Sequence, residues 1–106
     1  DLQIYDLDDI NGCFFFANNF INDLCHRLLK EKKYAFVVCV NPKSKNCSVR
    51  INDYENIHIG DILKELQLGG GHKQAGGFVI KENSEVEIAI TKIEKRLMAM
   101  PEMKRK

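Results

Sequence analysis

Five of the seven glycines in this 106-residue sequence lie in one ten-residue stretch, Leu68-Gly69-Gly70-Gly71-His72-Lys73-Gln74-Ala75-Gly76-Gly77. Glycine is entropically costly to order, so a cluster of it implies a backbone that takes positive φ or comes close to something. An amphipathic pattern runs into the stretch, and an apolar run leaves it. One histidine and one lysine sit inside it. Backbone amides and a polar side chain gathered in this way suit a small anionic group. The competing reading is a linker. Gly/Ser linkers, however, lack embedded His, Gln and Ala and are not hemmed in by periodic apolar segments.

The length suits a single domain over residues 1–106, with a real core. Hydrophobic residues make up 44% and charged residues 29%, which excludes disorder. The formal net charge is +1, so any anion binding has to be local. The longest apolar run, Ala35 to Val40, is too short to span a bilayer, and no membrane partner is expected. The amino end carries no signal-peptide pattern. The chain begins at Asp1 and is read as a piece of a longer protein. Cys13, Cys25, Cys39 and Cys47 form no CxxC pair and no zinc spacing. Each falls at an apolar position, which points to buried reduced thiols in a cytoplasmic protein. A disulfide framework is the other reading.

Along the chain, Leu2, Ile4 and Leu7 alternate with polar residues as a short strand would. Asn11-Gly12 signals a hairpin, and Cys13 to Ala17 the strand after it. Asn18 and Asn19 are candidate N-caps for an amphipathic helix marked by Ile21, Leu24, Cys25, Leu28 and Leu29. His26 lies beside that stripe, toward the surface. Tyr34 to Val40 reads as a central strand covered on both faces. Cys47, Val49 and Ile51 alternate with Ser48, Arg50 and Asn52, so the polar three share a face. That face is either solvated or one wall of an anion site, with Arg50 offering a bidentate fork. Ile59, Ile62, Leu63 and Leu66 mark a second helix, with Gly60 near its start for close packing or a bend. Phe78 to Ile80 is a strand. Ser84 is a candidate N-cap for a third helix through Val86, Ala89, Ile90, Ile93 and Leu97, which Pro101 helps to end. Residues 99–106 are expected to fray. The order β-β-α-β-β-α-β-α predicts an α/β fold, a mixed sheet of about five strands with helices packed on it.

The glycine stretch matches neither a P-loop nor the dinucleotide fingerprint. His72 stands where the P-loop lysine would, and Gln74 occupies the third glycine position. No Gly-x-Ser-x-Gly elbow is present, and no two histidines have metal-binding helical spacing.

Gly69-Gly70-Gly71-His72, followed by Ala75-Gly76-Gly77, resembles the signature of the DHHA1 domain, the C-terminal domain of DHH-family phosphoesterases. That family includes RecJ-like single-strand exonucleases, nano-RNA/pAp phosphatases and cyclic-dinucleotide phosphodiesterases. The lead-in from Ile57 to Leu66 and the Ser48-Val49-Arg50 strand also resemble it, and the likeness runs from about Cys13 to Leu97. Leu68 stands where many members carry a fourth glycine. The resemblance implies a DHHA1-like fold facing an N-terminal DHH catalytic domain, its partner, across a cleft. It implies that Ser48, Arg50, Gly69, Gly70, Gly71 and His72 hold substrate, namely nucleotide phosphate or short single-stranded nucleic acid. It also implies Mn²⁺ in the DHH domain. This sequence contains no Asp-His-His, so no cofactor and no catalytic residue is expected in the chain itself, and the isolated chain is expected to be inactive. Two other readings stand beside it. One is an RNA-binding appendage like that of alanyl-tRNA synthetases, which the near-neutral charge disfavours. The other is a structural or dimerising module in which the glycines only make a turn.

Overall fold

The computed structural model describes residues 2–103. The elements run β1 (Tyr5–Asp6), β2 (Gly12–Phe16), α1 (Ile21–Lys30), β3 (Phe36–Val40), β4 (Asn46–Ile51), α2 (Ile59–Glu65), β5 (Gly69–Gly71), β6 (Ala75–Val79) and α3 (Val86–Leu97). Short 3-10 turns occupy Asn83–Glu85 and Pro101–Met103. The strands form one mixed sheet in the order β1-β2-β3-β4-β6-β5. β2 and β3 pair in parallel, joined by α1, and the remaining pairings are antiparallel.

β3 lies inside the sheet because its run Phe-Val-Val-Cys-Val is apolar on both faces, and all five residues are buried. β4 alternates instead. Cys47, Val49 and Ile51 are buried, whereas Ser48 and Arg50 are half-buried. The register sets Cys39 opposite Ser48 and Val37 opposite Arg50, so these four share one face. On that face α1 packs Cys25 and Leu28 onto Cys13, Phe15, Val37 and Cys39. On the other face, residues of α2 and α3 bury Phe36, Val38, Val49 and Phe78 in a larger core. Among the described residues no helix is long and apolar enough to cross a membrane. All four cysteines are free and buried. Burial pushes the Cys13 and Cys39 thiols up to about 12 and Cys47 to about 11. Cys25 also moves up, partly opposed by the Arg50 charge.

Several local expectations need correction. The sheet has six strands, not about five, because Gly69–Gly71 pairs with β6 as an edge strand. The last strand accordingly starts at Ala75, ahead of Phe78. β1 is limited to Tyr5–Asp6; the hairpin signalled at Asn11-Gly12 is present, β1 pairing antiparallel with β2, but its connection runs from Leu7 to Asn11 because Gly12 already belongs to β2. Neither Asn18 nor Asn19 caps α1. The cap position is Phe20 in the left-handed region (φ 58°, ψ 34°), without a side-chain bond. Ser84 does not cap α3 either, because a 3-10 turn feeds straight into it and puts Glu85 at the cap. Nor is residue 103 frayed, since Met103 is fully buried and its carbonyl accepts from the Asn11 amide. Residues 104–106 of the expected tail lie outside the described residues.

Candidate functional site

The β5–β6 hairpin and the start of α2 are built as one unit. The His72 amide donates to the Ala75 carbonyl (2.7 Å) and closes the hairpin. Helix N-termini leave amides without partners. In α2 the Ile59 amide donates to Lys73 O and the Gly60 amide to His72 O, both at 2.9 Å. The His58 Nδ1 caps the helix by accepting from the Asp61 amide (3.0 Å). This contact needs Gly60, because a Cβ there would overlap the Gly71 carbonyl. Gly71 itself takes φ +146°, which L side chains rarely adopt. By contrast, a Cβ on Gly70 would meet nothing within 4 Å.

The register decides which candidate residues meet. One row across the sheet is Cys39, Ser48, Gly77 and Gly70. The neighbouring row is Val37, Arg50 and Ala75, and the Ala75–His72 bond brings His72 to its end. Ser48, Arg50 and Gly70 therefore share the α1 face, beyond the part that α1 covers. Gly69 and Gly71 fall in the alternate rows with Phe78 and Gly76, turned toward the α2 side. Their main chain belongs to the edge strand of the sheet. The six residues are thus contiguous but do not all point one way.

Arg50 is the cation of this face. Its Nη1 donates to the carbonyls of Val49 (2.9 Å) and Gly76 (3.4 Å), and its Nη2 to Asn22 Oδ1 (3.2 Å). Three of a guanidinium's five donors are then engaged, all by neutral oxygens, leaving two. Among the described residues no carboxylate pairs with it; the ion pairs lie elsewhere. A cleft of ≈ 590 Å³ opens beside it, between Ser48 and Arg50 on one side and residues 18–23 on the other. A second hollow of ≈ 290 Å³ continues along α1 from Asn22 and Arg50 to His26 and Gln74.

His72 is exposed, and no described residue pairs with its imidazole. Lys73, its neighbour, is not free. Its Nζ pairs with Asp53 and donates to the Tyr54 carbonyl (2.8 Å), tying the hairpin tip to the loop after β4. Two contributors escaped the sequence reading. Asn22 was hidden because a polar residue on an exposed helix position looks like any solvated one. Phe20, which lines the cleft, was hidden behind two better capping residues. Among the described residues no group of three or more His, Cys, Asp or Glu could hold a metal ion.

This arrangement has relatives of known structure. An uncharacterized protein from Helicobacter pylori G27 aligns with 87% of the chain at 25% identity and a TM-score of 0.53. RecJ from Thermus thermophilus, solved in complex with Mg²⁺, aligns with 90% at 17% identity and a TM-score of 0.68. A pGpG-specific phosphodiesterase, PggH, from Vibrio cholerae aligns with 92% at 14% identity and a TM-score of 0.52. The last two likenesses speak to the fold alone. The chain spans 27%, 16% and 35% of those three proteins respectively. No curated protein matches its sequence. The DHHA1 domain profile matches residues 16–99, from the end of β2 past the end of α3, and the chain belongs to the DHHA1 domain family.

Proposed function

We propose that this chain is the substrate-gripping domain of a DHH-family phosphoesterase acting on nucleotides or short oligonucleotides. Arg50 carries the reading. It is a half-buried guanidinium on an open sheet face, oriented by three neutral acceptors and ion-paired with no carboxylate among the described residues, although Asp23 lines the same cleft. Phosphate oxygens suit its two remaining donors. Ser48 adds a hydroxyl in the next row, and Gly70 leaves the floor low enough for a ligand to reach the main chain. His72 supplies a ring N–H at the hairpin tip, and Gly69 and Gly71 contribute backbone groups of the edge strand.

The reading implies a DHH domain, in residues other than these, that binds Mn²⁺ and activates water for phosphoester hydrolysis. The described residues do not offer a donor set for that ion. In this division of labour the chain binds and orients the phosphate, and no bond is broken by its side chains. The C-terminal position and the cytoplasmic setting belong to the same reading, the latter supported by four buried free thiols.

The test is hydrolysis of a short 5′-phosphorylated oligonucleotide by the full-length parent protein. Arg50→Ala is expected to lower kcat/KM about tenfold or more, the scale of a lost hydrogen bond to a charged group. His72→Ala should lower it less. Wild-type rates in both variants would refute the assignment.

A further inference from the structure

The wall facing Arg50 is unusual in one residue. Phe20 is 76% exposed, the most exposed large hydrophobic side chain among the described residues. It belongs to neither apolar core. Its backbone is left-handed, a region that a bulky residue enters at a cost and that glycine or asparagine occupies readily. Two asparagines precede it directly. Folding alone would therefore favour another residue type here. The helix needs only the Phe20 carbonyl, which accepts from the Leu24 amide (2.9 Å) and which any residue supplies.

What the side chain does have is a position. It lines the ≈ 590 Å³ cleft opposite Ser48 and Arg50. Asn18, Asn19 and Asn22 line the same cleft, and each amide offers both donors and an acceptor. Asp23 also lines it, without pairing with Arg50. An aromatic face, hydrogen-bonding amides and a guanidinium with two donors to spare are the three complements of one ligand class. A nucleotide carries a π-face, polar base edges and a phosphate. An inorganic phosphate or a sugar phosphate would leave the aromatic face unused.

We infer that Phe20 is a base-stacking residue, so that the cleft selects nucleotides by their base as well as by their phosphate. This rests on the reading of Arg50 as the phosphate contact. The base lies against the ring of Phe20, its edge meets the asparagine amides, and its phosphate reaches Arg50 and Ser48. Stacking on an aromatic ring is tolerant of base identity, so the selectivity is for a base over none, with little preference among the four.

The experiment is a ¹⁵N-edited NMR titration of the chain with AMP, ribose 5-phosphate and inorganic phosphate. AMP is expected to bind about fivefold or more tighter than ribose 5-phosphate, the lower range for stacking one base. Phe20→Ala should abolish that ratio while leaving ribose 5-phosphate unchanged, and Phe20→Tyr should retain it. Phe20→Gly should raise the melting temperature by relieving the left-handed residue, and still lose the adenine preference. Equal binding of AMP and ribose 5-phosphate by the wild type would overturn the inference. So would equal weakening of both by Phe20→Ala, the result expected if Phe20 only packs against another protein surface. Arg50→Ala separates the two levels. If it weakens all three probes while Phe20→Ala distinguishes none, stacking alone fails. If it changes none of them, the phosphate reading fails first.

Discussion

Single residues divide here into those that the backbone requires and those that it does not. Gly60 and Gly71 are required, one by the close approach of α2 to the hairpin and the other by φ +146°. Gly60→Ala and Gly71→Ala are each expected to cost about 2 kcal/mol or more, by analogy with overpacked and strained sites. Gly70→Ala meets no neighbour and should leave stability within about 0.5 kcal/mol, yet it places a methyl on the candidate floor. Thermal melts of the three variants, set beside AMP titrations, check this. A Gly70→Ala protein that melts like the wild type and binds AMP equally well would remove Gly70 from the site. The cysteines give a second prediction. Unfolded thiols ionise near 9, whereas folded Cys13, Cys39 and Cys47 hold their protons to about 12, 12 and 11. The folded pKa values are the higher ones, so this contribution is whole below pH 9 and is lost as pH rises toward 11–12. Urea unfolding between about pH 8 and 10.5 should show a shallower decline in Cys39→Ala than in the wild type. Parallel declines would contradict the assignment.

At the level of elements, the α1–β4 pair matters most for the site. Asn22 on α1 holds one arm of the Arg50 guanidinium. Asn22→Ala should weaken AMP binding about fivefold, less than Arg50→Ala does, since it removes one amide from the cleft and one of the three bonds that orient the guanidinium, a loss of roughly 1 kcal/mol. An Asn22→Ala variant that binds AMP like the wild type would remove Asn22 both as a support of Arg50 and as a contact of the base. The Lys73–Asp53 pair joins the hairpin to the loop after β4, but both side chains are substantially exposed. Its loss should therefore cost less than about 1 kcal/mol, measurable by urea unfolding of Lys73→Ala. These elements were unevenly legible in the sequence. The three helices and five strands follow from apolar periodicity, and the Ser48/Arg50 face from alternation in β4. β5 was not legible, because three glycines have no side chains to alternate and little strand propensity. The helix starts were misplaced where good capping residues stood near by and the chain turned elsewhere, at Phe20 and Glu85. Long-range partners such as Asn22 with Arg50 and Lys73 with Asp53 join residues 28 and 20 positions apart, and no local pattern marks them.

The molecule as a whole is a sheet covered unequally. α2 and α3 bury one face in the larger core. On the other face α1 lies over β2 and β3, leaving less covered the outer half where Ser48, Arg50, Gly77 and Gly70 stand, and Ser48 and Arg50 line a cleft there. The two layers have different tasks. The α2 contact fixes the hairpin, and the hairpin carries Gly70 to the end of the Ser48 row and His72 to the end of the Arg50 row, one strand beyond β6. Net charge contributes little to this, since +1 over 106 residues gives no long-range field. Binding at the open face should fall with salt only as one or two phosphate contacts require.

Ligand bound at this open half of the sheet would perturb the amides around it. The most direct test of binding there is amide shift mapping of the ¹⁵N-labelled chain with the 5′-phosphorylated dinucleotide pApA. Shifts are expected to concentrate at Ser48, Arg50, Gly70, His72 and Gly77, and at residues 18–23, with α3 silent. Shifts confined to the α2/α3 face, or none at millimolar ligand, would contradict that placement.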